Sequence, residues 1–208
     1  YGSPEALETF RLYEVLAREQ LAYLISPNSY DDNLALSRDE IAFVLRSSSG
    51  LSDMMLLMNN DRERWGMVAI PQARPETPGT VLYGPNVTLF NTTEEQRRAA
   101  WAFVRYFTSP DISARWALET GYLPVRKSAL DHPAIREFWG QWEYNRAAFA
   151  CLEYARPEPN LAGWQQVRDI VARAVTEIMT GMQDAQTAAR IAQQQAARAL
   201  SPSGGPGR

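Results

Sequence analysis

Four short stretches carry side chains that could do chemistry. "RSSSG" holds Ser47, Ser48, Ser49 and Gly50, and "YGPN" holds Tyr83, Gly84, Pro85 and Asn86. "TGYLP" holds Tyr122, and "GWQQVRD" holds Trp164 with Arg168 four residues on. Hydroxyls satisfy hydroxyls, tyrosine and tryptophan faces cover the C–H surface of a ring, and an arginine fork holds a phosphate or carboxylate through two hydrogen bonds. Groups of this kind are what a site needs to grip a polyhydroxylated solute. The same residues also serve as ordinary turn and core residues, and the residue types alone leave both readings open.

Bond-breaking chemistry finds no comparable constellation. The 208 residues include one histidine, His132, and one cysteine, Cys151. A single cysteine excludes an internal disulfide and any multi-cysteine zinc or iron–sulfur site, and a single histidine removes most histidine-based metal chemistry. A Ser-His-Asp triad would have to draw on His132, which stands in "DHP" at the start of a helix. Cys151 lies among apolar residues in "AAFACLEYA" and reads as a buried, inert thiol. "SSSG" is not a G-x-S-x-G elbow, and neither a Walker loop nor a dinucleotide glycine pattern occurs. Glu94-Glu95 and Asp31-Asp32 fall at helix starts or in loops, where the helix dipole or solvation accounts for them. The expectation is a protein that is not an enzyme, with no catalytic residues, no metal and no cofactor.

Composition bounds the partners. With 21 Lys+Arg against 24 Asp+Glu the chain is mildly acidic, so no pull toward nucleic acid or an anionic membrane is expected. The sequence shows no run of 18 apolar residues and no charged-then-apolar leader. An apolar share of 45% is enough for a real core.

The elements that must position these groups read as a helix-rich α/β chain. Ser3-Pro4-Glu5 is a capped helix start, followed by an apolar stripe from Leu7 to Leu21. "IAFVLRSS" (41–48) and "WGMVAIP" (65–71) have the short apolar character of buried strands, and "VLYGPNVTLF" reads as two short extended pieces around a turn. From residue 94 the pattern is helical. "TTEEQRRAAWAFVRYFTS" has a threonine cap and an apolar stripe of Ala99, Ala100, Phe103, Val104 and Phe107. "SPDISARWALETG", "HPAIREFWGQWEYNRAAF" and "NLAGWQQVRDIVARAVTEIMTG" are three further helices, and "MQDAQTAARIAQQQAARAL" is a solvated one. Residues 201–208, "SPSGGPGR", are expected to be a disordered tail.

The order "GMVAIPQA … GTVLYGPNVTLFNTTEEQRRAAWAFVRYFTSPDISARWALETGYLPVRKSAL" resembles the C-terminal half of extracellular solute-binding proteins of carbohydrate-type ABC importers. The helix from Ala99 to Ser109, A-A-W-x-F-v-x-(Y/F)-(F/L)-x-S, followed by T-G-Y-L-P-v-r from Thr120 to Arg126, carries the likeness, which spans most of residues 40–180. Within that family "QVRDIVARAVTEIM", "TGYLP" and "SSSG" look like the binding proteins for glycerol 3-phosphate and its diesters. The chain departs from the family pattern before the serines, where "LALSRDEIAFVL" has Arg38 in place of a glycine, so Ser48 and Ser49 both stand as candidates.

The resemblance implies the C-terminal lobe of a periplasmic-binding-protein-like (type II) two-lobed fold. Residues 1–180 would form that lobe with hinge-proximal segments, 181–200 a solvated helix, and 201–208 the tail. It also implies capture of a sugar, glycerol phosphate or glycerophosphodiester in an interlobe cleft for delivery to the transmembrane subunits of an ABC permease. Ser48 or Ser49, Gly84, Tyr122 and Arg168 would contact the solute, with Arg168 on the phosphate; Tyr83 and Trp164 are further candidates for stacking on a neutral saccharide. The protein is expected outside the cytoplasm, anchored through a segment not in this chain, and to work with an N-terminal lobe that this chain lacks. Two other classes remain. A helical interaction module would expose a large apolar patch, and a hydrolase would bring the Ser47–Gly50 loop to His132.

Overall fold

The computed structural model describes residues 1–26, 29–61 and 63–201. The expected tail lies, from residue 202 onward, outside the described residues. In chain order the elements are α1 (Pro4–Arg18), α2 (Asp31–Ser37), α3 (Leu51–Leu57), β1 (Thr80–Leu82), α4 (Glu94–Phe107), α5 (Pro110–Thr120), α6 (Pro133–Gln141), α7 (Tyr144–Ala150), β2 (Ala155–Pro157), α8 (Trp164–Met179) and α9 (Ala185–Ala199). They form two compact units: residues 1–29 with 159–208, and residues 30–158.

The first unit is three helices, α1, α8 and α9. Ser3 begins α1 as expected, its Oγ accepting the Ala6 N–H at 3.3 Å with Pro4 in the first turn. Phe10 of α1 packs with Val167, Ile170, Ala174 and Ile178 of α8. Against them lies a stripe of α9: Ala185, Ala188, Ala189, Ala192, Ala196 and Ala199 are all buried. The expected solvated helix at 181–200 is therefore corrected to a core helix. Alanine carries little apolar area, so its stripe is faint in composition, yet its small side chain lets two helix backbones approach closely. Gly163, at φ +84°, shows how close: a Cβ there would lie 2.3 Å from the Ala199 carbonyl oxygen.

The second unit holds α2 to α7 and both strands. β1 and β2 run parallel with Thr80 opposite Ala155, Val81 opposite Arg156 and Leu82 opposite Pro157. A parallel pair needs a crossover, and α4 to α7 supply it. Ala114, Ala117, Ala129, Ile135 and Trp139 form one buried cluster there, and Leu51 and Met54 on α3 and Met58 just after it are buried.

Three expectations change in this unit. Residues 41–48 and 65–71 form no ladder, and several of their apolar side chains face solvent, Phe43 at 87% and Val68 at 80% exposed, while Ile41, Val44, Trp65 and Met67 are half-buried. A central strand needs hydrogen-bonded neighbours on both edges, and the described residues provide none for these two segments. The stripe on α4 forms a helix, begun by Thr93 Oγ1 accepting the Gln96 N–H, yet no α4 residue is buried; Phe107 meets Trp116 of α5 edge-on at 5.3 Å. The single helix expected from 132 to 149 is two, because Trp142 at φ −128°, ψ 100° leaves the helical region between α6 and α7.

Candidate functional site

The second unit brings two of the four stretches together. Ser47 Oγ accepts the Ser49 N–H at 3.4 Å and lies 3.0 Å from Ser49 Oγ, which folds residues 48–50 into a 3-10 turn leading directly into α3. α5 ends at Gly121, whose φ of +75° is open to glycine at little cost. A Cβ at Gly121 would lie 2.8 Å from Ser52 Oγ and 3.2 Å from the Ser52 nitrogen. The Gly-Tyr-Leu-Pro turn thus rests on the first turn of α3, immediately after Ser48 and Ser49. That close approach is possible only because residue 121 has no side chain.

Several bonds fix this turn. The Tyr122 N–H donates to Thr120 Oγ1 at 3.3 Å, and Thr120 Oγ1 donates in turn to the Trp116 carbonyl at 2.6 Å. The Arg126 guanidinium donates to the Thr108 carbonyl and to Thr108 Oγ1. Pro124 is buried while Tyr122 stays 39% exposed. The result is an aromatic ring on a backbone with little freedom to lose.

Just before the serines, Arg46 donates to Asp32 Oδ1 at 2.5 Å and lies over the Tyr30 ring, 5.1 Å from its centroid. Asp32 is buried, so this pair links α2 to the serine segment more firmly than a fully solvated pair would. Sequence reading missed it. An acid at a helix start already has an explanation in the helix dipole, and the bridge spans 14 residues of chain.

Tyr83 and Gly84 directly follow β1 and are exposed. A Cβ at Gly84 would meet nothing within 4 Å, so internal packing does not require the glycine. Trp164 and Arg168 belong to the other unit. Trp164 is half-buried against the core of α1, α8 and α9, and its Nε1 is buried without a hydrogen-bond partner among the described residues. Arg168 is exposed one turn further along α8, its Nη1 donating to Gln165 Oε1 at 3.4 Å.

A cavity of 230 Å³ opens between α3 and α5, lined by Leu51, Ser52, Met55, Leu118, Gly121 and Phe138 among others. Its walls mix apolar side chains with Ser52 and Asn60, and they include neither Ser48, Ser49 nor Tyr122. Among the described residues no group of three or more His, Cys, Asp or Glu is placed to hold a metal ion.

The candidates for bond-breaking chemistry are engaged elsewhere. His132 Nδ1 accepts the Ala134 N–H at 3.3 Å and caps α6. Cys151 Sγ donates to the Ala147 carbonyl at 3.3 Å and accepts the Tyr154 hydroxyl at 3.1 Å, a bond that raises the Tyr154 pKa by favouring the protonated phenol. No helix is long and apolar enough to cross a membrane among the described residues.

Against this geometry the likeness to known proteins can be set. Residues 2–143 match the family described as bacterial extracellular solute-binding protein. A protein of Brucella abortus (strain 2308), named provisionally as a binding protein, is 25% identical over 189 residues, covering 86% of this chain and 43% of its own length. The sn-glycerol-3-phosphate-binding periplasmic protein UgpB of Rhizobium meliloti (strain 1021) is 23% identical over 194 residues, covering 90% and 44%. Among solved structures, the sugar-binding protein MalE from Xanthomonas citri superposes with a TM-score of 0.77 at 17% identity, over 92% of this chain and 48% of that one. UgpB from Mycobacterium tuberculosis, solved with glycerophosphocholine, superposes with a TM-score of 0.75 at 19% identity, over 95% and 49%. The fold is that of periplasmic binding proteins, and the chain spans just under half the length of each of these relatives.

Proposed function

This chain belongs to the bacterial extracellular solute-binding proteins, and from that premise we propose that it is one lobe of the binding protein of an ABC importer and carries part of the grip on a sugar or glycerol-phosphate solute. The observation that carries the reading is the seating of Gly121 on Leu51 and Ser52, which brings the Gly-Tyr-Leu-Pro turn, with its exposed Tyr122, to the start of the helix that directly follows Ser48 and Ser49. A rigid aromatic loses little entropy on binding, and hydroxyls beside it supply direction. Gly84 leaves the backbone after β1 open to close approach by a ligand, with Tyr83 next to it. Arg168, exposed on α8 four residues after Trp164, offers a guanidinium fork of the kind that takes a phosphate.

The remaining part of the reading is a missing lobe. Residues 41–48 and 65–71 have the composition of buried strands, and Phe43, Leu45, Val68 and Ile70 among them are exposed here. A segment corresponding to the other half of the relatives would complete their ladder, close over the solute, and form the surface that meets the permease. The relatives' family is extracellular, and function outside the cytoplasm is part of the same reading. A helical interaction module would also expose apolar surface. Family membership favours solute capture.

A thermal-shift series tests the reading, with glycerol 3-phosphate, glycerophosphocholine and neutral sugars offered to a two-lobed protein containing this chain, and repeated for Arg168→Ala. A ligand at a hundredfold excess over its dissociation constant stabilises the folded state by about 2.7 kcal/mol. The expected result is a shift with the phosphate compounds that disappears in the variant. A shift with sugars that survives Arg168→Ala makes the arginine structural and assigns the solute to the aromatic residues. The 208-residue chain alone is expected to bind weakly, and micromolar affinity for it would overturn the missing-lobe part of the reading.

A further inference from the structure

Two buried polar side chains hold the ends of the Gly121–Val125 turn. Asn145, 2% exposed near the start of α7, donates Nδ2–H to the Gly121 carbonyl at 3.2 Å. Ser113, 3% exposed in the first turn of α5, accepts the Val125 N–H on its Oγ at 3.0 Å. Gly121 is where α5 ends, so its carbonyl is one of the groups a helix terminus leaves without an internal partner, and Val125 lies past Pro124, where no regular ladder can take its N–H. Each bond therefore satisfies a backbone group that has no local alternative. Tyr122 lies between the two anchor points, one residue from the first and three from the second.

Asn145 is an expensive choice for a core position if packing were its only task. Its Oδ1 is buried without a partner among the described residues, and a buried unsatisfied acceptor carries a desolvation cost that an apolar residue would avoid. What the asparagine supplies and an apolar residue could not is the bond to the Gly121 carbonyl, on the turn that presents the tyrosine.

We propose that Asn145 and Ser113 are the positioning residues of the solute site, setting the Tyr122 ring by fixing the two ends of its turn from the protein interior. This rests on the reading of Tyr122 as a solute contact. Neither residue touches the solute; both act through the backbone on either side of the tyrosine. Loss of either bond lets the ring sample orientations that miss the ligand, so affinity falls while the fold persists.

The test compares Ser113→Ala, Ser113→Thr, Asn145→Ala and Tyr122→Ala by two measurements. The first needs no ligand: amide hydrogen exchange at Val125 in the full chain, which is expected to speed up about tenfold in Ser113→Ala and to return toward the parent rate in Ser113→Thr, where the hydroxyl is restored. The second is the dissociation constant for glycerophosphocholine and for glycerol 3-phosphate in a two-lobed protein containing this chain. Tyr122→Ala is expected to weaken binding at least tenfold, and Ser113→Ala and Asn145→Ala about five- to tenfold, with Ser113→Thr close to the parent. If Tyr122→Ala weakens binding and neither interior variant does, the positioning role is wrong and the solute site stands. If Tyr122→Ala leaves affinity unchanged, or neither these compounds nor the neutral sugars bind the parent, the solute reading fails and this role fails with it. An unchanged exchange rate at Val125 in Ser113→Ala also overturns the proposal, and Ser113 decides the matter should Asn145→Ala fail to fold.

Discussion

The α1–α8–α9 unit and the unit of residues 30–158 are built from similar material and end in opposite states. In the first, a chain segment that looks polar, "AQTAARIAQQQAARA", places six alanines in the core. In the second, segments that look like core, "IAFVL" and "GMVAI", leave Phe43, Leu45, Val68 and Ile70 to solvent. Helices satisfy their own backbones, so three of them need only matching stripes to close a core. Strands satisfy theirs only through neighbours, and an apolar strand without a neighbour can be buried only at the cost of orphaned N–H and C=O groups. Completeness of a unit thus depends on which kind of element it contains, more than on how apolar its segments are.

The sharpest way to break that contrast is Ala192→Glu. On a solvated alanine helix the change would be close to neutral; in the core described here it buries an unpaired carboxylate. The expected loss is about 3 kcal/mol or more, read by denaturant unfolding, and a loss below about 0.5 kcal/mol would return α9 to solvent. Phe43→Ser runs the other way. A phenylalanine in a completed sheet costs about 3–5 kcal/mol to truncate, whereas Phe43 in this chain is expected to cost less than about 0.5 kcal/mol. The same substitution in a two-lobed protein containing the chain should recover the larger cost, and equal small effects in both would show that no strand partner covers it.

The smallest expected effect concerns the start of α9. Asp184 accepts the Thr187 N–H at 2.8 Å and the Thr187 hydroxyl at 2.7 Å, and these bonds hold its carboxyl below the ordinary carboxylate range. A lowered folded value means that the carboxylate stabilises the folded state above the unfolded pKa of about 4, and that this contribution is lost as pH falls through the folded value. Asp184→Ala should lower the melting temperature at pH 7. The gap to the parent should narrow as pH drops below about 4, and a constant gap down to pH 2.5 would assign the effect to helix propensity instead of the charge.

Much of this was legible in the chain itself. Ser3 and Thr93 cap their helices where the sequence places them, and Gly121 stops α5 before the tyrosine, because caps and stops act through two or three neighbouring residues. Family membership was legible for a similar reason: the A-A-W helix and the T-G-Y-L-P turn are local patterns at fixed spacing. The break at Trp142 was not, since the residues on either side are good helix formers and the reason for the break lies in packing, where Tyr144 sends its hydroxyl to the Trp65 carbonyl 79 residues away.

By itself the sequence determined that α1, α4, α5, α8 and α9 are helical, the caps of α1 and α4 and the stop of α5, and the family to which their order belongs; these follow from capping, spacing and hydrophobic period, all of which act within a few residues. Only the tertiary structure decided that the alanines of α9 are core, that Gly121 lies against Leu51 and Ser52 at the start of α3, and that Asn145 and Ser113 hold the Gly121 carbonyl and the Val125 N–H from within. Those contacts join residues 12 to about 170 positions apart, and no local pattern encodes which distant partner will arrive.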